Sequence, residues 1–324
     1  MNIQPSQFPL QRIVGALPKP LHRVKVAQLL AKITGSPYHR IRFQQGEVIG
    51  NVRDFDIANY LVKQEFADHG YFELASRILK EGDVHVDVGA NYGFHTFGLL
   101  ELPISPQIKF VLIDANPDCI ACLNESAKLH PVSDFQILHA AAAVETGEIQ
   151  FSFADSSSGR GHVGAAENSI EGSIRVPART LDSLFEEISI DKIALMKIDI
   201  EGSEPVAMQS LDRMLSSHDV DFIYFEVNPY CLELQQTSPE ALFDEFIRHG
   251  YRLFWPHDGE DWILRTYGHD NATASDLKRF TIVGNRPHQV IEFDQSLYRK
   301  KAFGQCDLLA VSPNCRINSS DPCA

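Results

Sequence analysis

The strongest constraint on the fold is a series of short, nearly continuous apolar runs that begins after Glu81-Gly-Asp83. Strands buried on both faces of a parallel sheet have this composition, because helices cover both faces. The five runs are Val84–Val88, Phe110–Ile113, Phe135–Leu138, Ile193–Ile198 and Phe222–Val227. The segments between them at 94–100, 117–129 and 204–215 have helical spacing. Strands and helices in alternation predict a doubly wound α/β fold.

Residues 1–80, ahead of this pattern, are expected to form an N-terminal arm and cap. The first twenty residues are rich in proline and glutamine and lack a sustained period, which is typical of an arm. Apolar spacing then predicts helices at about 21–33, 57–66 and 72–79, with a hairpin turning at Gln45-Gly46. Residues 81–312 would be the α/β domain, and 313–324 a polar C-terminal tail.

The interval between Leu138 and Ile193 is too long for a single crossover helix. It contains alternating patterns at Glu148–Phe153 and Ser173–Val176, which predict half-exposed strands. An inserted hairpin or flap near 145–178 is therefore expected, followed by a helix that begins near Thr180. Beyond Gly250, further strand signals would complete the sheet: Tyr251–Trp255, Phe280–Val283 and Leu308–Val311.

Composition excludes several classes of protein. The chain has 324 residues with 29 basic and 43 acidic side chains, and its formal net charge is −14. This excess would repel a phosphate backbone, so no nucleic-acid partner is expected. No run approaches the ~18 apolar residues of a membrane helix, and the first residues lack the layout of a signal peptide. We therefore expect a cytoplasmic protein without a membrane partner, whose six scattered cysteines are reduced.

The segment Val86-Asp-Val-Gly-Ala-Asn-Tyr-Gly93 predicts a ligand-binding turn between a buried strand and a helix. Gly89 and Gly93 allow a tight turn and a close approach of the backbone to a ligand, and Asn91 tolerates a left-handed conformation. The following helix would present free N–H groups. Because the spacing is G-x-x-x-G and not G-x-G-x-x-G, a nicotinamide-dependent oxidoreductase is disfavoured.

A carboxylate ends the second strand of the pattern. Asp114 follows Gly93 by twenty-one residues, where a carboxylate can accept hydrogen bonds from both ribose hydroxyls of an adenosine. An apolar strand that ends in Asp before a helix is also an ordinary N-cap pattern, so Asp114 taken alone leaves both interpretations open. The glycine turn and Asp114 together favour a cofactor that contains adenosine.

A third motif, Lys197-Ile-Asp-Ile-Glu-Gly-Ser-Glu204, places three carboxylates at a strand end. Asp199, Glu201 and Glu204 would repel one another at the edge where open α/β sheets bind ligands, unless a cationic group lies there. The competing interpretation is structural, because Gly202 can make a turn and Glu204 can begin a helix. Both interpretations stay open for Glu204, whereas a functional role is favoured for Asp199.

These motifs together resemble the FkbM family of S-adenosylmethionine-dependent methyltransferases. The resemblance is carried by Asp87-Val-Gly-Ala-Asn-Tyr-Gly, by Asp114 and by Lys197-Ile-Asp-Ile-Glu-Gly-Ser-Glu, with Val176-Pro-Ala-Arg-Thr-Leu-Asp182 ahead of the third motif. It covers roughly residues 65–230. It implies a Rossmann-like class I methyltransferase fold, with a doubly wound, seven-stranded and mostly parallel sheet, an N-terminal cap and the inserted flap.

The resemblance also implies S-adenosylmethionine as the cofactor, with S-adenosylhomocysteine as product. The residues implied to line its methionine and ribose part are Asp87, Gly89, Ala90, Asn91 and Gly93, with Thr96 closing the turn. Those implied for its ribose and adenine are Asp114, Ala115, Asn116, Ala140 and Ala141. Asp199 and Glu201 would lie beside the methyl group, where the acceptor enters.

Methyl transfer from a sulfonium is an in-line displacement, so the protein mainly aligns the acceptor and helps to remove its proton. The candidate catalytic residues are Asp199, Glu201 and Glu226, and His257 is a weaker candidate base. His85 and His95 are interpreted as structural histidines, which is the commoner role of a lone histidine in this setting.

A divalent metal is considered and not favoured. Asp199, Glu226 and Asn228 would present oxygen ligands from adjacent strand ends, which suits a hard cation such as Mg²⁺. The competing interpretation is that Glu226 hydrogen-bonds the acceptor or the 199–204 turn. Cys119-Ile-Ala-Cys122 has no second cysteine pair at a matching distance, so no zinc or redox site is expected.

The leading hypothesis is an O-methyltransferase that acts on a hydroxyl of a sugar or secondary metabolite, with a small-molecule or glycan acceptor. One alternative is N-methylation of an amine or amide. The other is a catalytically silent module of the same fold, against which the intact glycine turn and acidic cluster argue. The acceptor and the oligomeric state stay open at this point.

Overall fold

The computed structural model describes residues 3–16, 23–44, 46–63, 68–101, 107–131, 133–154, 157–163, 172–257, 259, 263, 273–297 and 304–319. The helices are α1 Leu10–Ala16, α2 Arg23–Thr34, α3 Phe55–Lys63, α4 His69–Ile78, α5 Phe94–Gly98, α6 Pro117–Ala127, α7 Leu181–Glu187, α8 Glu204–Gln209, α9 Asp212–Ser217, α10 Pro229–Leu234 and α11 Pro239–Arg248. The strands are β1 Tyr38–Phe43, β2 Gly46–Asn51, β3 Val84–Val88, β4 Lys109–Asp114, β5 Asp134–His139, β6 Ala141–Ala142, β7 Gly147–Ala154, β8 Ser157–Val163, β9 Gly172–Arg179, β10 Ile193–Ile198, β11 Val220–Val227, β12 Arg252–Trp255, β13 Arg279–Val283, β14 Pro287–Glu292, β15 Cys306–Val311 and β16 Ile317–Ser319. None of the helices in these ranges is long and apolar enough to span a membrane.

The largest sheet has ten strands in the order β16-β13-β14-β12-β15-β11-β10-β3-β4-β5. Strands β5, β4, β3, β10 and β11 pair in parallel. The chain winds outward from β3 through β4 and β5 on one side and through β10 and β11 on the other. This reversal between β3 and β10 is the switch point where doubly wound sheets bind ligands at their carboxyl edge. The apolar runs, which alternate with segments of helical spacing, therefore predicted the parallel half of the sheet correctly.

The predicted number of seven strands is wrong, because the described residues form a ten-stranded sheet. The remaining strands pair antiparallel, beginning with β15 on β11. Two of them had no sequence signal. Strand β14 starts at a proline and carries mixed polar residues, and β16 lies inside the segment 313–324 that was expected to be a polar tail. Both pair with β13, so backbone pairing rather than apolar composition makes them strands.

Two apolar clusters cover the two faces of the sheet. Leu195 and Phe222 belong to one cluster, which also contains Leu61 of the cap helix α3. Met196 and Ile223, one position further along the same strands, belong to the other cluster with helices of the α/β domain. Neighbouring residues of a strand point to opposite faces, so the cap covers one face and shares its core with the sheet.

The cap contains the predicted hairpin, in which β1 and β2 pair antiparallel. Gln45 of its expected turn lies outside the described residues, as do residues 64–66 at the end of the helix predicted for 57–66. The Ile49 N–H donates a hydrogen bond to Ser126 Oγ at 2.8 Å, which joins β2 to helix α6 of the α/β domain. A buried hydrogen bond therefore connects the cap to the domain.

The predicted insertion forms a separate four-stranded sheet in the order β6-β9-β7-β8. Strand β6 is parallel to β9, so Ala141 lies opposite Ala178 at the base of this sheet. Thr180 Oγ1 accepts a hydrogen bond from the Ser183 N–H at 3.2 Å and caps α7. The expected flap and the helix start near Thr180 are confirmed.

Candidate active site

A cavity of about 510 Å³ opens at the carboxyl edge of the parallel strands, on the face that the cap covers. Side chains two positions apart on a strand share a face, so Lys197 and Asp199 follow Leu195 onto this side. Eleven of the expected site residues line the cavity: Gly89, Ala90, Asn91, Asp114, Ala115, Asn116, Ala140, Ala141, Asp199, Glu201 and Glu226. The sequence motifs therefore converge on one place in the fold.

Three other expected residues, Asp87, Gly93 and Thr96, are not among the lining residues. Thr96 Oγ1 donates a hydrogen bond to Asp87 Oδ2 at 2.8 Å, and Asp87 is only 1% exposed. Gly93 has φ +81° and packs against the ring of Phe97, where a Cβ atom would lie 2.6 Å from ring carbons. These three residues support the turn without reaching the cavity, because the end of β3 and the start of α5 are packed closely together.

The turn between β3 and α5 needs a left-handed backbone at Gly89 and Asn91, whose φ angles are +79° and +51°. The N–H groups of Gly89 and Ala90 both donate to the Ile113 carbonyl oxygen, at 2.9 and 3.1 Å. A Cβ atom on Gly89 would lie 1.9 Å from the Asp199 carbonyl oxygen. Glycine at this position is therefore a steric requirement, and the turn presents its backbone to the cavity.

Asp114 is held by the backbone on both carboxyl oxygens. The Asn91 N–H donates to Asp114 Oδ2 and the Asn116 N–H donates to Asp114 Oδ1, each at 2.7 Å. Burial nevertheless raises the pKa of Asp114 to about 6. The side chain that caps α6 is Asn116, which accepts from the Asp118 N–H at 3.0 Å. The N-cap interpretation of Asp114 is therefore wrong, and Asp114 faces the cavity.

Lys197 connects the first and third motifs and had no assigned role in the sequence. Its Nζ lies 3.0 Å from Asp199 Oδ2 and 4.0 Å from Asp87 Oδ1. Burial alone would lower the pKa of Lys197, but these two carboxylates outweigh it and raise the pKa. The cation that the acidic cluster requires is therefore supplied by the chain itself. Its position two residues before Asp199 was the signal that could have identified it.

Glu204 has the structural role that the sequence left open. Its Oε1 accepts hydrogen bonds from the N–H groups of Ile200 and Gly202, at 2.9 and 3.3 Å, and burial raises its pKa to about 7. Glu201 adopts φ +53° in this turn, and Cys231 Sγ donates to its Oε2 at 3.2 Å. Glu204 thus holds the turn that carries Asp199 and Glu201 to the cavity.

Glu226 is the penultimate residue of β11 and faces Asp307 on the antiparallel strand β15. Gln305 Nε2 donates to Glu226 Oε1. Burial, with the nearby carboxylates of Asp199 and Glu201, raises the pKa of Glu226 to about 9. Burial, with Asp68 and Asp199, raises the pKa of Asp307 to about 7. The sequence did not single out Gln305 or Asp307, because no local pattern reveals which strand pairs with β11.

The cap side of the cavity is lined by Asp56, Tyr60, Asp68 and His95. His95 Nε2 lies 2.9 Å from Asp68 Oδ2, and this contact lowers the pKa of Asp68 although burial opposes it. His95 was expected to be only structural and is in fact a lining residue. His85 does not line the cavity; it contacts the Tyr71 hydroxyl, and burial lowers its pKa to about 4.

The remaining candidates lie away from this site or have another partner. Asn228 Oδ1 accepts from the Cys231 N–H at 3.3 Å and caps α10, so its side chain is already used by the helix. Among the residues that the structure describes, no group of three His, Cys, Asp or Glu is arranged to hold a metal ion. Cys119 and Cys122 are buried in α6, and His257 accepts from the Gly259 N–H at 3.1 Å outside the cavity lining.

The fold and the site together define a doubly wound α/β protein with a ligand cavity at the switch point of its sheet. The family model described as "Methyltransferase FkbM domain" matches residues 87–253, which is half of the chain. The chain belongs to this family. The match runs from Asp87 in β3 to Leu253 in β12, and leaves the cap and the strands after β12 outside.

Individual relatives are distant. The chain is 26% identical over 149 residues to the hexuronic acid methyltransferase AglP of Haloferax volcanii, a match that spans 46% of this chain and 57% of the relative. The solved FkbM methyltransferase of Methylobacillus flagellatus KT has 14% identity, with 85% of this chain and 72% of that chain covered and a TM-score of 0.37. TYW2 of M. jannaschii, solved in complex with AdoMet, has 12% identity, with 85% and 87% covered and a TM-score of 0.36.

Proposed function

We propose that this chain is an S-adenosylmethionine-dependent methyltransferase that methylates a hydroxyl of a sugar or secondary metabolite. The observation that carries the proposal is Asp114, whose carboxyl is held by two backbone N–H groups at the cavity, beside the turn that starts at Gly89. Membership of the FkbM methyltransferase domain family supports the transferase activity. The relative AglP, which is named for hexuronic acid methylation, supports a sugar acceptor.

The described residues fit the adenosine part of this cofactor. Each oxygen of Asp114 accepts one N–H and keeps a further acceptor site for a ribose hydroxyl. Ala140, Ala141 and Ala142 line the cavity with small apolar side chains, against which a flat adenine could pack. Gly89 has no side chain, so the backbone can approach the ligand closely. Asp114 would therefore hold the ribose, and the alanines would contact the base.

When bound, S-adenosylmethionine would supply a methyl group whose bond to sulfur breaks with the electron pair leaving on sulfur. The residues of the chain would hold the acceptor oxygen in line and take up its proton. Of the expected bases, Asp199 is paired with Lys197 at 3.0 Å. Glu201 accepts from Cys231 Sγ at 3.2 Å. Each therefore already has one carboxyl oxygen engaged by a side chain of the protein.

We assign the hydroxyl proton to the facing carboxyls of Glu226 and Asp307. Glu226 Oε2 is buried and has no hydrogen-bond partner among the described residues. Because the pKa of Glu226 is raised to about 9 and that of Asp307 to about 7, the pair carries between one and two protons at neutral pH, and its singly protonated form offers an ionised oxygen. A base whose pKa lies near the working pH is partly ionised and still binds a proton strongly enough to take it from the acceptor.

Isothermal titration with S-adenosylhomocysteine tests the cofactor site. We expect micromolar binding to the wild type, at least about tenfold weaker binding to Asp114→Ala, and retained binding to Asp199→Ala, which would leave Asp199 for the acceptor side. Asp134→Ala, at the exposed start of β5, is the matched control and should bind as the wild type does. A correctly folded wild type that binds no S-adenosylhomocysteine would overturn the proposal.

Binding alone does not distinguish an enzyme from a silent module. Transfer of a radiolabelled methyl group from S-adenosylmethionine to a cell extract, followed by alkaline hydrolysis and sugar analysis, separates the alternatives. Label in a methyl ether of a sugar or metabolite supports the proposal. Label on nitrogen would favour N-methylation, and binding without any transfer would favour the silent module.

A further inference from the structure

The half of the cavity away from Asp114 is lined by side chains from strands on the other side of the switch point. From β4 the sheet passes through β3, β10 and β11 to β15. Neighbouring strands lie about 4.8 Å apart, so β15 lies roughly 19 Å from β4 along the sheet edge. The carboxylates that line this half and the adjoining cap are Asp56, Asp68, Asp199, Glu201, Glu226 and Asp307. The Asp114 half suits the cofactor, and this half is left for the acceptor.

Positive charge is scarce among the described residues at this end. Among the lining residues that the structure describes, Lys197 is the only lysine or arginine. Lys197 is 3% exposed, and the carboxylates of Asp199 and Asp87 lie 3.0 and 4.0 Å from its Nζ. His95 is engaged with Asp68 at 2.9 Å. A carboxylate on the acceptor would therefore meet several acidic groups and, among the described lining residues, no lysine or arginine that lacks a carboxylate neighbour.

A second, independent feature is the open hydrogen-bonding position at Glu226 Oε2. This side chain is 5% exposed and lines the cavity. Gln305 donates to its Oε1, whereas its Oε2 has no donor in the described part of the chain. A buried polar atom without a partner is costly, so a ligand group that forms a hydrogen bond with Oε2 would be favoured here. A hydroxyl can donate to Oε2 when this carboxyl is ionised and accept from it when it is protonated, whereas an ionised carboxylate can only accept.

We propose that the acceptor end selects a sugar that carries no acidic group, with a ring hydroxyl hydrogen-bonded to Glu226 Oε2, and that it discriminates against uronic acids. This inference rests on the proposed methyltransferase function and deepens it. It separates this chain from AglP, whose name gives hexuronic acid as its substrate. In a site of low dielectric constant, like charges a few ångströms apart cost far more than in water.

The test compares sugars that differ only at C6. Saturation-transfer difference NMR titrations would measure the binding of the methyl glycosides of glucose, galactose and mannose, and of their uronic acid counterparts, to full-length protein saturated with S-adenosylhomocysteine. We expect at least one neutral sugar to bind about tenfold more tightly than its uronate. Uronates that bind as tightly as the neutral sugars, or neutral sugars that all fail to bind, would overturn the inference.

A charge variant ties the selectivity to this site. Gln305→Lys places an ammonium group beside Glu226 and should reduce the preference for the neutral sugar at least about threefold, because the added cation favours the uronate. Gln289→Lys adds the same charge on the exposed side of β14 and should leave the preference unchanged. A preference that Gln305→Lys leaves unaltered, or that Gln289→Lys alters equally, counts against the inference.

The proposed function and the proposed selectivity can be contradicted separately. Loss of S-adenosylhomocysteine binding in the wild type would contradict the proposed function. Intact S-adenosylhomocysteine binding together with preferred uronate binding would contradict only the selectivity assigned to Glu226 and its neighbours.

Discussion

Gly89 and Asp199 are in steric contact across two neighbouring strands: a Cβ atom on Gly89 would lie 1.9 Å from the Asp199 carbonyl oxygen. The Asp199 N–H also donates to the Val88 carbonyl oxygen at 3.1 Å. The turn of the first motif is therefore packed directly on the residue that opens the acidic motif. The two motifs, more than one hundred residues apart in sequence, depend on each other for their positions.

Gly89→Ala should disrupt this contact. A left-handed backbone costs an alanine about 1–2 kcal/mol, and relieving the overlap with Asp199 should cost a further 1–3 kcal/mol or so. Gly82→Ala is the matched control, because Gly82 has φ +85° and open space around its α-carbon. Urea denaturation and S-adenosylhomocysteine titration should show a larger stability loss and weaker binding for Gly89→Ala only. Equal losses in the two variants would mean that the contact has no role.

Lys197→Met should destabilise the chain strongly. The substitution would leave Asp87, which is 1% exposed, without its only nearby cation among the described residues. Removing one partner of a buried pair costs about 3–5 kcal/mol, because the other charge stays buried. Lys192→Met removes the exposed pair with Asp221, at 3.1 Å, and should cost less than about 1 kcal/mol. Denaturant midpoints measure both, and similar shifts in the two variants would contradict this account.

Ser126→Ala tests how firmly the cap is joined to the domain. It would leave the buried Ile49 N–H without its acceptor at 2.8 Å, at a cost of about 1–3 kcal/mol. Ser217→Ala is the control, because exposed Ser217 donates to the Arg213 carbonyl oxygen four residues earlier, as Ser126 does to that of Cys122, each at 2.9 Å. Thermal unfolding should show one transition with a lower midpoint for Ser126→Ala. A separate low-temperature transition would show that the cap unfolds alone.

Stability should fall as the pH rises from 6.5 to 8.5. Burial raises the pKa of Glu226 to about 9 from its usual 4.5. The folded chain therefore binds this proton more tightly than the unfolded chain, and the stabilisation is lost as the pH rises toward the folded pKa. One such group lowers the free energy of unfolding by about 1.4 kcal/mol per pH unit. Glu204, with a pKa raised to about 7, acts in the same direction.

Urea denaturation of the ligand-free protein at pH 6.5, 7.5 and 8.5 measures this slope. The range starts at the usual histidine pKa. Below that pH, buried His85, whose pKa is lowered to about 4, makes the stability rise with pH and would oppose the effect of Glu226. Glu226→Gln keeps an oxygen for Gln305 and should flatten the profile, whereas exposed Glu73→Gln should not. Stability that stays constant or increases over this range in the wild type would refute the prediction.

Local pattern determined much of the site. A buried strand in a doubly wound sheet ends at the ligand-binding edge, so the residues after an apolar run can be placed there from sequence alone. Gly89, Asn91, Asp114, Asp199 and Glu226, which stand at or near strand ends, all line one cavity. Local sequence could not separate lining residues from supporting ones, because strand pairing sets their depth: Asp87 lies inside β3, level with Lys197, whereas Asp199 follows the last residue of β10.

The sequence by itself determined the parallel half of the sheet, the glycine turn and the carboxylates at the strand ends, because alternation, turn chemistry and strand polarity are local properties of the chain. Only the tertiary structure decided that Asp307 faces Glu226 and that His95 meets Asp68. Only it showed that Lys197 balances two carboxylates. Those relationships depend on which strands pair and on how the cap docks onto the sheet. The residues adjacent in sequence specify neither the pairing nor the docking.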